Sequence, residues 1–239
     1  MLFINESTSL KDPDKIMKER LFVNLQNMKT YVSGLLLDVG CGQRPYASMF
    51  QEMTTRYVGV DLALPNFPLP RVDAVASVLY LPFKDSLFDT VLCTEVMEHV
   101  AEPTQLLSEI YRVLKPGGNL LLTVPLMWRL HGEPYDYYRF TEHGVRYLSE
   151  KVGFEVIRLE RLSGFFSTLG QVLSFGTAFF QPYRKDNFKN ILLSKMTIGI
   201  RMIINFISLW IDNVKRIEGF PLGYVLVAKK LINRNNCLD

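Results

Sequence analysis

Short apolar runs, most of them without polar alternation, recur along the chain and are separated by amphipathic segments. Runs of this kind are typical of strands buried on both faces of a sheet. The pattern predicts seven strands, at residues 35–39, 57–61, 72–76, 88–93, 119–124, 154–159 and 224–228.

The segments between these strands carry helical periodicity. Residues 103–114 place Leu106, Leu107, Ile110 and Val113 on one face, and Pro116 with the glycines after it stops the pattern. A second helix is predicted from Thr141, whose hydroxyl is suited to cap it, to the residue before Gly153, and an N-terminal helix is predicted over 14–32. Strands that alternate with helices predict an α/β fold: a Rossmann-like, doubly wound, seven-stranded, mostly parallel sheet.

The segment 163–214 departs from this alternation because it is almost continuously apolar. We expect a helical insertion that acts as a lid over a substrate pocket, as a homodimer interface or as a peripheral membrane contact. Its 191–211 stretch is long enough to span a bilayer, but Lys195, Arg201 and Asn205 interrupt it, which disfavours a spanning helix. A helix lying in the membrane interface tolerates such residues better.

These elements predict a single domain over 1–239. It has an N-terminal helical extension (1–34), a ligand-binding core (35–162), the apolar insertion (163–214), and a final strand with its tail (215–239).

Composition narrows the possible partners. A net charge of +3 over 239 residues argues against an extended nucleic-acid surface. Cys41, Cys93 and Cys237 have no metal-ligand spacing, so no metal is expected, and so few cysteines fit a reducing compartment. The first residues resemble no signal peptide, and we expect a cytoplasmic protein, with the insertion as a route to peripheral membrane contact.

The first predicted strand runs into a glycine loop, Asp38-Val39-Gly40-Cys41-Gly42. Glycines let the backbone turn sharply and approach a ligand, and open parallel sheets bind ligands beyond the carboxyl ends of their strands. Asp61 ends the second strand, where its carboxylate can accept two hydrogen bonds from a ribose diol. A nicotinamide-dependent oxidoreductase is disfavoured because Pro45 stands where the dinucleotide fingerprint has its third glycine.

Five segments, taken together, resemble the class I S-adenosylmethionine-dependent methyltransferases. They are LLLDVGCG (35–42), YVGVDL (57–62), LPFKDSLFDTVLCTEVMEHV (81–100), LSEIYRVLKPGGNLLLTVP (107–125) and GFEV (153–156). The resemblance implies S-adenosylmethionine as cofactor and a last strand antiparallel to the fifth. It also implies cofactor contacts by Asp38, Gly40, Cys41, Gly42, Asp61 and Leu62.

Further contacts follow from the resemblance. The family often has an acidic residue at the adenine; here Ser77 takes that position, so Ser77 or the backbone of Val78 is expected to make the contact. Thr94 and Glu95 are expected near the cofactor and the reacting groups. His99 is expected either to touch the substrate or to fix its own loop.

The loop after the fifth predicted strand is dense in aromatic and polar residues at the binding end of the sheet. His131 is the candidate general base, and Tyr137, Tyr138 and Arg139 are candidate substrate-binding residues. An equally open interpretation is that these tyrosines and the arginine only clamp the loop.

The function expected from these residues is methyl transfer from S-adenosylmethionine to a small or lipid-linked acceptor, at oxygen before nitrogen or carbon. A non-catalytic S-adenosylmethionine-binding module of the same fold is the alternative.

Overall fold

The computed structural model describes residues 9–63, 71–182 and 187–232. These residues form two compact units. The first contains residues 24–160 and 223–232, and the second contains residues 9–23 and 161–222. The helix α1 (Lys15–Asn27) begins in the second unit and ends in the first.

The first unit is built on one seven-stranded sheet with the order β3-β2-β1-β4-β5-β7-β6. Its strands are β1 (Gly34–Val39), β2 (Thr54–Asp61), β3 (Ala74–Val75), β4 (Phe88–Thr94), β5 (Leu114–Pro125), β6 (Phe154–Arg161) and β7 (Gly223–Lys230). Parallel pairing joins β1 to β2 and β4, β2 to β3, and β4 to β5. The strand order reverses between β1 and β4, and a crevice at such a reversal is where doubly wound sheets bind their ligands.

The last strand, β7, runs antiparallel to β5, with Leu122 opposite Leu226. Six of its eight residues are buried. The predicted fold class is therefore confirmed: a doubly wound, mostly parallel sheet with an antiparallel last strand and an apolar helical segment before that strand.

Three helices belong to the first unit: α2 (Ala47–Phe50), α3 (Pro103–Val113) and α4 (Glu142–Val152). The predicted inner face of α3 is buried, and Leu106, Leu107, Ile110 and Val113 lie in the core beneath it. The Thr141 hydroxyl accepts a hydrogen bond of 3.1 Å from the Gly144 N–H, so it caps α4 as predicted.

The second unit contains α5 (Phe165–Gly176) and α6 (Phe188–Val214). Its polarity is inverted relative to an ordinary soluble helix pair. The buried residues of α6 are Ser194, Thr197, Arg201, Asn205, Leu209 and Asp212. The buried faces of α5 and α6 are therefore mostly polar, while large apolar side chains lie on the surface of these helices.

Candidate active site

The loop after β1 is tied to the end of β2 through Asp61. The Gly42 N–H donates to Asp61 Oδ2 at 2.8 Å, and the Leu62 N–H donates to Oδ1 at 2.7 Å. Each carboxylate oxygen accepts one bond from the backbone and keeps further lone-pair capacity for a ligand. The structure thus brings the glycine loop and Asp61 together at the carboxyl ends of adjacent strands.

Gly40 is required by both conformation and space. Its φ is +70°, in the left-handed region, and a Cβ built on it would lie 2.4 Å from Cγ2 of Val96. Any side chain here would push the loop after β1 away from the loop after β4. Gly40 therefore lets the loop after β1 pack directly against the Val96 side chain.

Asp38 and Cys41 lie inside the same loop. Asp38 is 1% exposed; the Tyr57 hydroxyl donates to its Oδ2, while its Oδ1 has no hydrogen-bond partner among the described residues. Burial raises the pKa of Asp38 to about 7. Burial also raises the pKa of the Cys41 thiol to about 12, which makes this cysteine unreactive near neutral pH.

Glu95 follows β4 with φ 53°, a left-handed conformation that is uncommon outside glycine and often marks functional loops. The Thr123 hydroxyl donates to Glu95 Oε1 at 2.9 Å, whereas the buried Oε2 has no partner in the described part of the chain. Burial raises the pKa of Glu95 to about 7. Thr94 ends β4, directly opposite Thr123.

Arg112 of α3 fixes residues 81–83, which closely follow Ser77 and Val78, the residues expected at the adenine. The Arg112 guanidinium donates to the carbonyl oxygens of Leu81 (2.9 Å) and Phe83 (2.7 Å). Upstream, Ser77 Oγ accepts a hydrogen bond of 3.2 Å from the Leu79 N–H, and Val78 is buried. The Ser77 hydroxyl is thus engaged in its own turn and keeps its proton as a donor.

The loop after β5 is held by an ion pair inside it. Arg139 donates to both carboxylate oxygens of Asp136, at 2.6 and 2.8 Å, and to the carbonyl oxygens of Trp128 and Arg129. Bidentate pairs of this kind fix geometry as well as contributing energy. For Arg139, these contacts favour the clamping interpretation over direct substrate binding.

The two tyrosines of this loop differ in their contacts. The Tyr138 hydroxyl donates to the Ala101 carbonyl oxygen at 2.9 Å, which links the loop after β5 to the loop after β4. The Tyr137 side chain is 48% exposed, and its backbone N–H donates to the Glu98 carbonyl oxygen. Tyr137 therefore has the freer side chain of the two.

Two histidines from separate loops meet beside Glu98, a contact that the sequence did not suggest. His99 Nε2 lies 3.1 Å from His131 Nε2, and Glu98 Oε1 lies 3.7 and 3.8 Å from those two atoms. Burial lowers the pKa of His131 to about 4, and burial raises the pKa of Glu98. A histidine with such a low pKa is unprotonated at neutral pH, but it is a weak base for taking up a proton.

The residues around the crevice fit S-adenosylmethionine, which carries an ammonium group, a sulfonium and a ribose diol. Asp38 Oδ1 and Glu95 Oε2 are buried acceptors without partners among the described residues, and Asp61 is placed for a diol.

Comparison with known proteins agrees with this geometry. Residues 37–122 match the family model described as "Methyltransferase domain". An uncharacterized protein of Methanocaldococcus jannaschii is 36% identical over 112 residues, which are 46% of this chain and 49% of that protein. A ubiquinone biosynthesis O-methyltransferase of Ruegeria pomeroyi is 36% identical over 93 residues, or 35% of this chain and 38% of the enzyme. The chain thus aligns with less than half the length of these curated relatives.

Solved structures share the fold over most of the chain. A methyltransferase from Archaeoglobus fulgidus described as S-adenosylmethionine-dependent superposes with a TM-score of 0.55 at 19% identity, covering 91% of this chain and 97% of that one. The [4+2]-cyclase SpnF superposes equally well, with a TM-score of 0.55 at 18% identity, covering 91% and 82%. The fold is that of S-adenosylmethionine-dependent methyltransferases, and residues 37–122 match a methyltransferase domain. The likeness to a cyclase shows that this fold also carries other chemistry.

Proposed function

We propose that this chain transfers a methyl group from S-adenosylmethionine to an oxygen atom of a small or lipid-linked acceptor. The observation that carries the proposal is the convergence of the Gly40–Gly42 loop and Asp61 at the point where the strand order reverses. The match of residues 37–122 to a methyltransferase domain supports it. The O-methyltransferase among the relatives supports oxygen as the acceptor atom.

The chain's part in this reaction is positioning. When bound, S-adenosylmethionine supplies an electrophilic methyl group whose sulfur leaves as a neutral thioether. Asp61 would hold the ribose, the backbone at Gly40 and Gly42 would pass close to the methionine part, and Glu95 would lie beside the cationic centre. Alignment and exclusion of water then provide much of the rate acceleration.

The second unit supports a lipophilic acceptor. The exposed large apolar residues of α6 are Phe188, Ile191, Leu192, Leu193, Met196, Ile200, Ile203, Phe206, Ile207, Trp210 and Val214, and its exposed polar residues are Lys189, Lys195 and Asn213. At about 100° per residue the apolar residues cover roughly half of the helix circumference. The α6 helix is long and apolar enough to cross a membrane by length and composition.

Inside this unit, the polar residues are hydrogen-bonded to one another and to the N-terminal segment. Arg201 Nε donates to Thr177 Oγ1 at 2.8 Å, and Asn205 Nδ2 donates to the Leu10 carbonyl oxygen at 2.9 Å. Polar contacts inside with apolar residues outside are the arrangement of helices packed in lipid. We therefore extend the proposal to a protein at the cytoplasmic face of a membrane, with α6 in contact with the bilayer.

Vesicle flotation tests the membrane part. Wild-type protein should float with phospholipid vesicles, and Phe206→Glu should reduce binding by at least about tenfold, because one buried apolar side chain contributes about 1.5–3 kcal/mol. Tyr147→Glu, which alters an exposed aromatic residue of the first unit, is the matched control and should float normally. Equal flotation of both variants, or a dimer in light scattering that Phe206→Glu disrupts without any vesicle binding, would contradict the bilayer as partner.

Methyl transfer is tested with S-adenosylmethionine labelled in the methyl group. The labelled cofactor is incubated with the protein and with soluble and membrane fractions of a cell lysate. Label should enter a product in the membrane fraction, and Asp61→Ala should abolish that incorporation. Cofactor binding without product in any fraction would favour the alternative, a non-catalytic module that binds S-adenosylmethionine.

A further inference from the structure

Three potential ligand atoms converge where the loops after β4 and β5 meet. The distances between His99 Nε2, His131 Nε2 and Glu98 Oε1 are 3.1, 3.7 and 3.8 Å. A point equidistant from three atoms at these separations lies about 2.1 Å from each of them, which is the length of zinc–nitrogen and zinc–oxygen bonds. The spacing therefore suits one metal ion bound by all three residues.

A hydrogen bond on the far side of His99 and a carboxylate on the far side of His131 determine what the near side of each imidazole presents. His99 Nδ1 lies 2.9 Å from the Tyr135 carbonyl oxygen, which can only accept, so Nδ1 carries the proton and Nε2 presents a lone pair. His131 Nδ1 faces the Asp136 carboxylate at 3.5 Å. If His131 Nε2 carried the proton, the Nδ1 lone pair would face the Asp136 carboxylate and be repelled by it. The proton is therefore assigned to Nδ1. With the proton on Nδ1, two lone pairs meet at 3.1 Å and need a cation between them.

Glu98 supplies the third reason for a cation. Its side chain is 0% exposed, and neither carboxylate oxygen has a hydrogen-bond partner among the residues that the structure describes. A buried carboxylate without compensation is costly, and paired or metal-bound states are the usual ways to retain one. The two imidazoles lie 3.7 and 3.8 Å from its Oε1, and in their neutral form they do not compensate its charge.

The surroundings hold the three side chains in this arrangement. Asp136, which faces His131, is itself fixed by the bidentate pair with Arg139 and by a hydrogen bond from the backbone N–H of His131. A Cβ at Gly132, where φ is +67°, would lie 2.9 Å from the His99 ring. Outer hydrogen bonds of this kind orient histidine ligands in metal sites.

We propose that Glu98, His99 and His131 bind a divalent first-row transition-metal ion. Two imidazoles and one carboxylate suit zinc, and three protein ligands leave a fourth position open, as in catalytic zinc sites. The sequence predicted no metal because its three cysteines lack metal-ligand spacing. The ligands come instead from a glutamate and two histidines, and the histidines are 32 residues apart.

A role for the ion rests on the proposed function. A cation beside the acceptor hydroxyl lowers the pKa of that hydroxyl, so its proton leaves to solvent. The oxygen then forms the new O–C bond as the C–S bond breaks, and the electron pair of that bond stays on sulfur. In this role His131 holds the ion in place of acting as the base.

Metal binding is measured directly with Zn²⁺ on chelator-treated, untagged protein by isothermal titration and by metal analysis after dialysis. All proteins carry Cys237→Ser, which removes a competing thiol outside the described residues. The parent protein should bind one Zn²⁺ per chain, and Co²⁺ in its place should give a visible d–d spectrum. Glu98→Gln and His131→Ala should each weaken binding by at least about tenfold.

The exposed third histidine provides the control, because His143→Ala should leave zinc binding unchanged. Thermal unfolding separates folding from binding. Because Glu98→Gln removes an uncompensated buried charge, its unfolding temperature without metal should equal or exceed that of the parent. Zn²⁺ should raise the unfolding temperature of the parent but not that of Glu98→Gln. Equal zinc binding by parent and His131→Ala, or none by the parent, would overturn the proposal. The same proteins are titrated with S-adenosylmethionine, so a failure of the cofactor proposal is seen separately.

Discussion

The Gly42 N–H donates a hydrogen bond of 2.8 Å to Asp61 Oδ2, and this bond connects the glycine loop after β1 to the acid that ends β2. Asp61 thus both orders the loop and keeps lone pairs for a ligand. Losing its carboxylate should therefore affect the loop and the ribose contact together.

Gly40→Ala should destabilise the fold and remove cofactor binding. The substitution places a Cβ 2.4 Å from Val96 Cγ2 at a φ of +70°, and strain of this kind costs about 1–3 kcal/mol. Denaturant unfolding measures the loss. Gly199→Ala in α6, where a Cβ meets nothing within 4 Å, should have no cost or a small gain. Because Val96→Ala relieves the contact, Gly40→Ala should cost less in that background, and an unchanged cost would contradict the steric account.

Arg112→Ala should loosen the segment expected at the adenine. The carbonyl oxygens of Leu81 and Phe83 lose charged donors, which contribute about 1.5–3 kcal/mol each when well formed. We expect a lower unfolding temperature and weaker S-adenosylmethionine binding by titration. Arg146→Ala, which removes only a surface pair with Glu150, is the control. Matching effects from the two variants would show that the Arg112 contacts do not matter.

Arg139→Ala should impair transfer to the acceptor while leaving cofactor affinity within about twofold. Its guanidinium holds Asp136 and carbonyl oxygens of the loop after β5, and none of these groups belongs to the glycine loop after β1. Steady-state kinetics with saturating cofactor, beside a titration with S-adenosylmethionine, separate the two effects. A large loss of cofactor affinity would place Arg139 in the cofactor site instead.

The inverted polarity of the second unit makes an unusual prediction for α6. Asn205→Leu should destabilise by about 1–3 kcal/mol, because the carbonyl oxygens of Leu10 and Asp12 lose their donor inside the unit. Ile203→Asn, at a position 59% exposed, should be close to neutral in water. Thermal unfolding without lipid compares them, and the opposite order of stabilities would show that α6 packs like an ordinary soluble helix.

The sheet could be predicted from the sequence because most of its strands are continuous apolar runs. The convergence of the glycine loop with Asp61 could be predicted because the loop follows β1 and Asp61 ends the adjacent parallel strand β2. The approach of His99 to His131 could not, since it depends on how two irregular loops fold back. The stripe formed by Ser194, Thr197, Arg201, Asn205 and Asp212 was present in the sequence at helical spacing. From the sequence, Arg201 and Asn205 of this stripe, with Lys195, are interruptions of an apolar helix, but in the structure Arg201 and Asn205 lie on the buried face of that helix.

Isothermal titration of the purified chain with S-adenosylmethionine tests the central claim most directly. The wild type should bind one equivalent, and Asp61→Ala should bind at least about tenfold more weakly, because charge-assisted hydrogen bonds to the ribose are lost. Glu155→Ala, at an exposed acid on β6, should bind like the wild type. Absence of binding by the wild type, or equal affinity in Asp61→Ala, would contradict the assignment of this crevice as an S-adenosylmethionine site.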